Sequence, residues 1–335
     1  MAVRRSPRGN PSTLAYDSVA GTGETSTAEK SRPQKKKPVT VSASGTTFDA
    51  RLYARGAASN AFGLTLLGSL AIFVPASRPA ARLACALQLA VFVVHGLPFR
   101  SEEFYDLSGS VTHFAVVVQS LLNASPAPTP RGILVSLASV LWMTRLGTFL
   151  FLRIARDGRD ARFDSLKPCW LSFLGAWTIQ AAWVTLTELP IVLCNARAAG
   201  DQPPLGLADA ALAAAWAAGF VLEVAADMAK FTFRNDPANR AKFITGGVWG
   251  WSRHPNYFGE IAMWVALAAV VTLCAGCSHA AWISPAFTAL LLLKISGVPM
   301  VEKAGMKKWG NDPEYIHYLK HTSCVIPWRP APSLN

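Results

Sequence analysis

Residues 249–260, WGWSRHPNYFGE, set a guanidinium, an imidazole and a proline at the mouth of an apolar run. Pro255 has no amide hydrogen to lose and its φ is already helical, so it suits the first turn of a helix expected to run through Tyr257, Ile261 and Trp264. Arg253 and His254 then lie where a helix presents unpaired N–H groups and the positive end of its dipole. Such a place attracts phosphate or carboxylate. The same residues also fit a basic flank that anchors a span at the lipid headgroups.

In EVAADMAKFTFRND, residues Asp227, Lys230 and Arg234 are spaced by three and four, which stacks them on one side of a helix. Two cations on one stripe make a grip for a multiply charged phosphate ligand. The alternative is that Asp227 pairs with Lys230 while the cations reach for headgroups. Between the two cationic elements lies FITGGVWGW, where Gly246 and Gly247 permit close backbone approach and Trp249 and Trp251 offer flat faces. That combination suits a ligand with phosphates and a ring; interfacial tryptophans that hold no ligand have the same look. RSEEFYDLSGS supplies Glu102, Glu103, Tyr105 and Asp106. An acid or phenol beside apolar walls can donate a proton, which reduction of a polarised double bond requires. Asp106 or Ser108 equally suits as a cap for the next helix. Arg145 falls inside an apolar run, where an unpaired charge is costly, and Glu188 or Glu223 would satisfy it.

The elements that must position these groups follow from composition. The 335 residues are 51% hydrophobic and 16% charged, with a mean hydropathy of +0.28, which predicts an all-α, polytopic membrane helix bundle. A net charge of +12 does not point to nucleic acid, because the basic residues sit in short segments between apolar runs. The six cysteines are scattered and give no disulfide framework. Cys274, Cys277 and His279 have ligand-like spacing, but no second pair completes a site, so no metal is expected. Apolar runs near 58–76, 80–98, 110–124, 132–155, 170–194, 208–230, 257–275 and 279–297 predict roughly eight membrane helices, the third of them short for a span. Arg153, Arg156, Arg159, Arg162 and Lys167 crowd one connection, and Lys230, Arg234, Arg240, Lys242 and Arg253 another. With Lys303, Lys307, Lys308 and Lys320, the positive-inside rule puts all three segments in the cytosol. Residues 1–47 are rich in Ser, Thr, Pro, Gly, Lys and Arg and predict a disordered basic cytosolic tail; their acid-free opening also fits an organelle transit peptide. Residues 48–335 form the multi-span domain. Glycine fingerprint, Walker loop and serine elbow are missing from the sequence, so any nucleotide must be held by helix ends and loops.

The order EEFYDLSGS, TRLGTFLFLRIARDGRDARFD, ADMAKFTFR, GGVWGWSRHPNYFGEI, KISGVPMVEK and PEYIHYLKHTS resembles the membrane oxidoreductases with a steroid 5-alpha-reductase-type C-terminal region, over residues 99–328. Delta-14 sterol reductases share the run of arginine, histidine, proline, asparagine and tyrosine followed by glycine and an acid. The resemblance implies NADPH as cofactor, with Arg253, His254, Asn256, Tyr257 and Glu260 on its side and Lys230 and Arg234 holding its phosphates; Trp249 is counted with them. It also implies a lipid-accessible chamber, a cytosol-facing nucleotide site, an endoplasmic reticulum membrane, and hydride transfer to an activated C=C bond of a sterol-like or long-chain lipid. Tyr105 is the first candidate proton donor and Glu102 the second. The same architecture hosts isoprenylcysteine carboxyl methyltransferases, so an S-adenosylmethionine-dependent lipid methyltransferase is an alternative, and a non-catalytic lipid-binding protein is a third.

Overall fold

The computed structural model describes residues 50–157 and 160–328, so the expected tail at 1–47 lies outside the described residues. Among the described residues the regular structure is helical throughout. We number the helices that matter here α1 (Ala50–Phe73), α2 (Arg78–Val91), α3 (Tyr105–Leu122), α4 (Pro130–Asp157), α5 (Trp170–Thr187), α6 (Leu189–Asn195), α7 (Leu207–Asn235), α8 (Pro255–Ala269), α9 (Ile283–Leu290), α10 (Val298–Trp309) and α11 (Pro313–His321).

Every expected apolar run is helical, but the eight are not equivalent. Among the described residues, six segments are long and apolar enough to cross a membrane: Ala50–Phe73, Pro75–Phe99, Pro130–Leu152, Leu207–Asn235, Pro255–Cys274 and His279–Trp309. A seventh is broken: α5 and α6 meet at a 50° bend. The remaining run, α3, is 18 residues long but too polar to qualify, with Ser108, Thr112, His113 and Ser120 among its apolar residues. This is a multi-pass membrane protein, with six or seven candidate spans among its described residues.

The packing is that of a protein solvated by lipid. In α1 only Gly56, Gly63, Leu67 and Leu70 are buried, while Phe62 and Ile72 face outward. In α6 every residue is buried, as expected of a helix that is apolar all round. With lipid no less apolar than leucine, helices are held by close approach of small residues and by polar ties. Both operate around α7. A Cβ on Gly219 would stand 2.8 Å from the carbonyl oxygen of Gly259, so α7 and α8 touch there backbone to backbone. Arg131 near the start of α4 donates to both carboxylate oxygens of Asp209 near the start of α7, at 2.7 and 2.9 Å. Farther along, Arg145 donates to Glu223 at 2.5 Å. The steps from 131 to 145 and from 209 to 223 are equal, so α4 and α7 run parallel and in register. Between the two ties lies an apolar crevice of about 260 Å³, lined by Leu134, Leu137, Leu212 and Leu267.

One local expectation is corrected and another holds. Neither Asp106 nor Ser108 caps α3: the helix starts at Tyr105 with Phe104 at its N-cap and no side-chain cap, and the Ser108 hydroxyl donates to the Tyr105 carbonyl at 2.7 Å. Pro255 does open α8, after His254. The chain leading into that helix is strapped by the C-terminal segment, since the Arg253 N–H donates to the Ser323 carbonyl at 2.8 Å and the Trp328 N–H to the Trp251 carbonyl at 2.9 Å.

Candidate functional site

The last turns of α7 carry Asp227, Lys230 and Arg234 along one wall of a recess of about 340 Å³, closed on the α4 side by Phe149 and Leu152. Lys230 holds its ammonium over the Trp249 ring, 4.6 Å from the centroid. Trp249 is not an open platform. It is 3% exposed, its indole N–H donates to the Ala226 carbonyl at 3.0 Å, and its own carbonyl accepts from Tyr318 at 2.8 Å. The chain enters this turn through Gly247 at φ +61°, a left-handed conformation that glycine adopts at little cost. Asn256 donates to Asp227 at 3.1 Å, tying the first turn of α8 to α7.

Asp227 does not pair with Lys230. Its second oxygen accepts from Arg145, which also holds Glu223. Glu260 on α8 lies within electrostatic reach of Asp227 and Arg145. Two carboxylates thus share one guanidinium with Glu260 in electrostatic reach, and of these groups Asp227 lines the recess together with the cations Lys230 and Arg234.

Arg253 and His254 turn the other way. The guanidinium of Arg253 reaches Glu302 of α10 at 3.1 Å, and the His254 ring, stacked on Tyr257 at 5.1 Å, brings Nε2 to 3.3 Å from the same carboxylate. Neither lines the recess beside Lys230 and Arg234, so the sequence motif divides between two adjoining environments. His254, Glu302 and Cys324 offer ligand atoms within 4.8 Å of one another, yet the Arg253 charge on the same carboxylate opposes a divalent cation. Burial pushes the His254 imidazole down to about 4, against the partial support of Glu302. The unfolded chain takes up this proton near 6.5, whereas the folded chain does so only near 4. The group therefore costs nothing above pH 6.5, and stability falls as the pH drops from there toward 4, by on the order of 3 kcal/mol in total. Thermal midpoints measured across that range should decline in the wild type and decline less in His254→Gln; parallel slopes would refute this.

The two candidate proton donors are otherwise engaged. Glu102 forms an ion pair with Lys167 and accepts the Asp160 N–H at 2.8 Å. Burial pushes its carboxyl up, but Lys167 and the Asp160 N–H outweigh burial and hold it below the ordinary value, so it is an acceptor that pins the 160–167 loop. The Tyr105 hydroxyl donates to the Ala176 carbonyl at 3.1 Å, and its ring packs against Phe163 and Trp177 on the α5 side. Neither residue lines the recess. What sequence reasoning missed is His113, fully buried midway along α3, with Nδ1 2.7 Å from Glu188 at the α5–α6 bend. A signal was present: Ser108, Thr112 and Ser120 recur with His113 on one face of an apolar run.

Fold and site together define an all-α, multi-pass membrane protein with a recess of mixed charge where several spans end. Residues 91–322 match the family described as Protein of unknown function (DUF1295), and the chain belongs to it. That family is associated with steroid 5-alpha-reductase-like membrane proteins. No curated protein and no solved structure matches the chain.

Proposed function

We propose that this protein is an NADPH-dependent reductase that transfers a hydride to an activated C=C bond of a sterol-like or long-chain lipid. The observation that carries the reading is the pair Lys230 and Arg234 on one stripe of α7, beside a recess with aromatic and apolar walls at a membrane boundary. The polar lining fits a phosphorylated dinucleotide: Lys230 and Arg234 are available for phosphates, and Asp227, held by the Asn256 amide, for a polar ring substituent. NADPH supplies the hydride when bound. The chain's own residues do the rest: Lys230 and Arg234 bind phosphate, Trp249 keeps Lys230 in place from below, and Arg145 keeps Glu223 and Asp227 from repelling one another. Tight walls orient the reactants and exclude water. The chain sits in this reading in the endoplasmic reticulum membrane, with the recess toward the cytosol where the reductant is found.

Thermal unfolding of the purified, detergent-solubilised protein tests the reading. NADPH at a hundred times its Kd should stabilise it by about 2.7 kcal/mol. Stabilisation by S-adenosylmethionine and none by NADPH would replace the reductase with a methyltransferase, and no response to either would leave a lipid-binding protein without turnover.

A further inference from the structure

The run HYLKH at the end of α11 sets His317 and His321 four residues apart, which places both imidazoles on one helical face, one turn from each other. The two rings are stacked, with centroids 4.1 Å apart. Together with Gly310, Asn311, Pro313 and Lys320 they border a hollow of about 380 Å³, on a part of the chain that follows the last apolar segment. His321 is exposed and His317 half-buried. None of these residues has a part in the nucleotide reading.

Hydrogen bonding fixes which nitrogen of His321 is which. Its Nδ1 stands 3.0 Å from the carbonyl oxygen of His317. A carbonyl oxygen only accepts, so Nδ1 is the nitrogen that carries hydrogen, and in the neutral ring Nε2 keeps the lone pair. Metal-bound histidines use the same arrangement: the nitrogen turned away from the ion donates to a backbone carbonyl or a carboxylate, which holds the ring in place. Here that second bond is already made.

The donor type selects the ion. Imidazole suits zinc, copper and nickel, whereas magnesium and calcium take oxygen ligands. A helix that carries two imidazoles one turn apart has met part of the ordering cost of a chelate in advance. The last turn is also the negative end of the helix dipole, which favours a cation. Lys320 opposes one, but it is exposed, and its long stem carries the ammonium into water. Among the described residues no third imidazole, carboxylate or thiol converges with the pair, so water completes the coordination sphere. In zinc proteases with paired histidines, a glutamate next to the first histidine serves as base. Tyr318 occupies that place here, and its hydroxyl donates to the Trp249 carbonyl at 2.8 Å. The arrangement holds an ion and lacks the base for hydrolysis.

We propose that His317 and His321 form a two-histidine site for a divalent transition-metal ion of the zinc type, bound through Nε2 of His321 and a ring nitrogen of His317. An ion bridging the two rings braces the same turn of α11 whose Tyr318 holds Trp249. The inference is independent of the proposed function, since it involves neither the recess nor a nucleotide.

Calorimetric titration of the untagged full chain in detergent with zinc chloride tests it, with magnesium chloride as the comparison. The wild type should bind zinc and give no heat with magnesium. His321→Gln should weaken zinc binding by at least about tenfold, and His317→Gln combined with His321→Gln should abolish it. Cys324→Ser, which removes a thiol from the separate group of His254, Glu302 and Cys324, should leave the affinity unchanged. Zinc should also raise the thermal midpoint of the wild type and not that of the double variant. Absence of zinc binding in the wild type, unchanged affinity in the double variant, or affinity lost through Cys324→Ser would overturn the proposal. Should the double variant fail to fold, unchanged affinity in His321→Gln, at an exposed position, overturns it instead.

Discussion

Arg145→Ala is expected to cost about 3–5 kcal/mol of stability, the penalty for leaving buried charge without its counter-ion. Arg145 serves Glu223 and Asp227 at once, with side chains 4% and 14% exposed, and Glu260 adds a third carboxyl to the neighbourhood. Glu223 already has one oxygen without a partner. Removing the guanidinium leaves acids facing each other at the end of a membrane span, where neither water nor lipid can solvate them well. Unfolding in detergent should show a large drop in midpoint for Arg145→Ala. A triple variant that adds Glu223→Gln and Asp227→Asn should recover most of it, because neutral partners need no cation. If the single variant unfolds at the wild-type midpoint, the cluster is solvated and the account of it fails.

The second large effect concerns ligand binding. Combining Lys230→Ala with Arg234→Ala should weaken NADPH binding by about a hundredfold, as expected for two lost charge-assisted contacts worth about 1.5 kcal/mol each. Folding should be nearly unaffected at Arg234, which is exposed. Lys230 leaves behind only its contact with the buried Trp249 face. Titration of the double variant by calorimetry gives the comparison; an unchanged Kd would move the phosphates elsewhere, with Arg253 the next cation to try.

Helix positions were legible from the sequence because a span needs about twenty apolar residues and nothing else in the chain has that texture. The start of α8 was legible from Pro255. Partners were not. Arg145 was expected to find Glu188 or Glu223, and the structure gives it Glu223 with Asp227, while Glu188 belongs to His113. Spacing along α7 placed Asp227 beside Lys230, yet tertiary packing offered the carboxylate a guanidinium from another helix, a planar and bidentate donor. Arg253 and His254 looked like ligand groups because their distance in sequence from Glu302 hid the acid that they share. The polar face of Ser108, Thr112, His113 and Ser120 was legible in an otherwise apolar run, but the partner of His113 was not, because only the α5–α6 bend brings Glu188 against it.

The two rungs between α4 and α7, Arg131 with Asp209 and Arg145 with Glu223, limit how these helices can part. Axial sliding would break both rungs in the same instant. A swing about one rung breaks only the other, so the cheaper route to admitting a bulky guest from the bilayer is a scissor-like splay pivoting on whichever end stays latched.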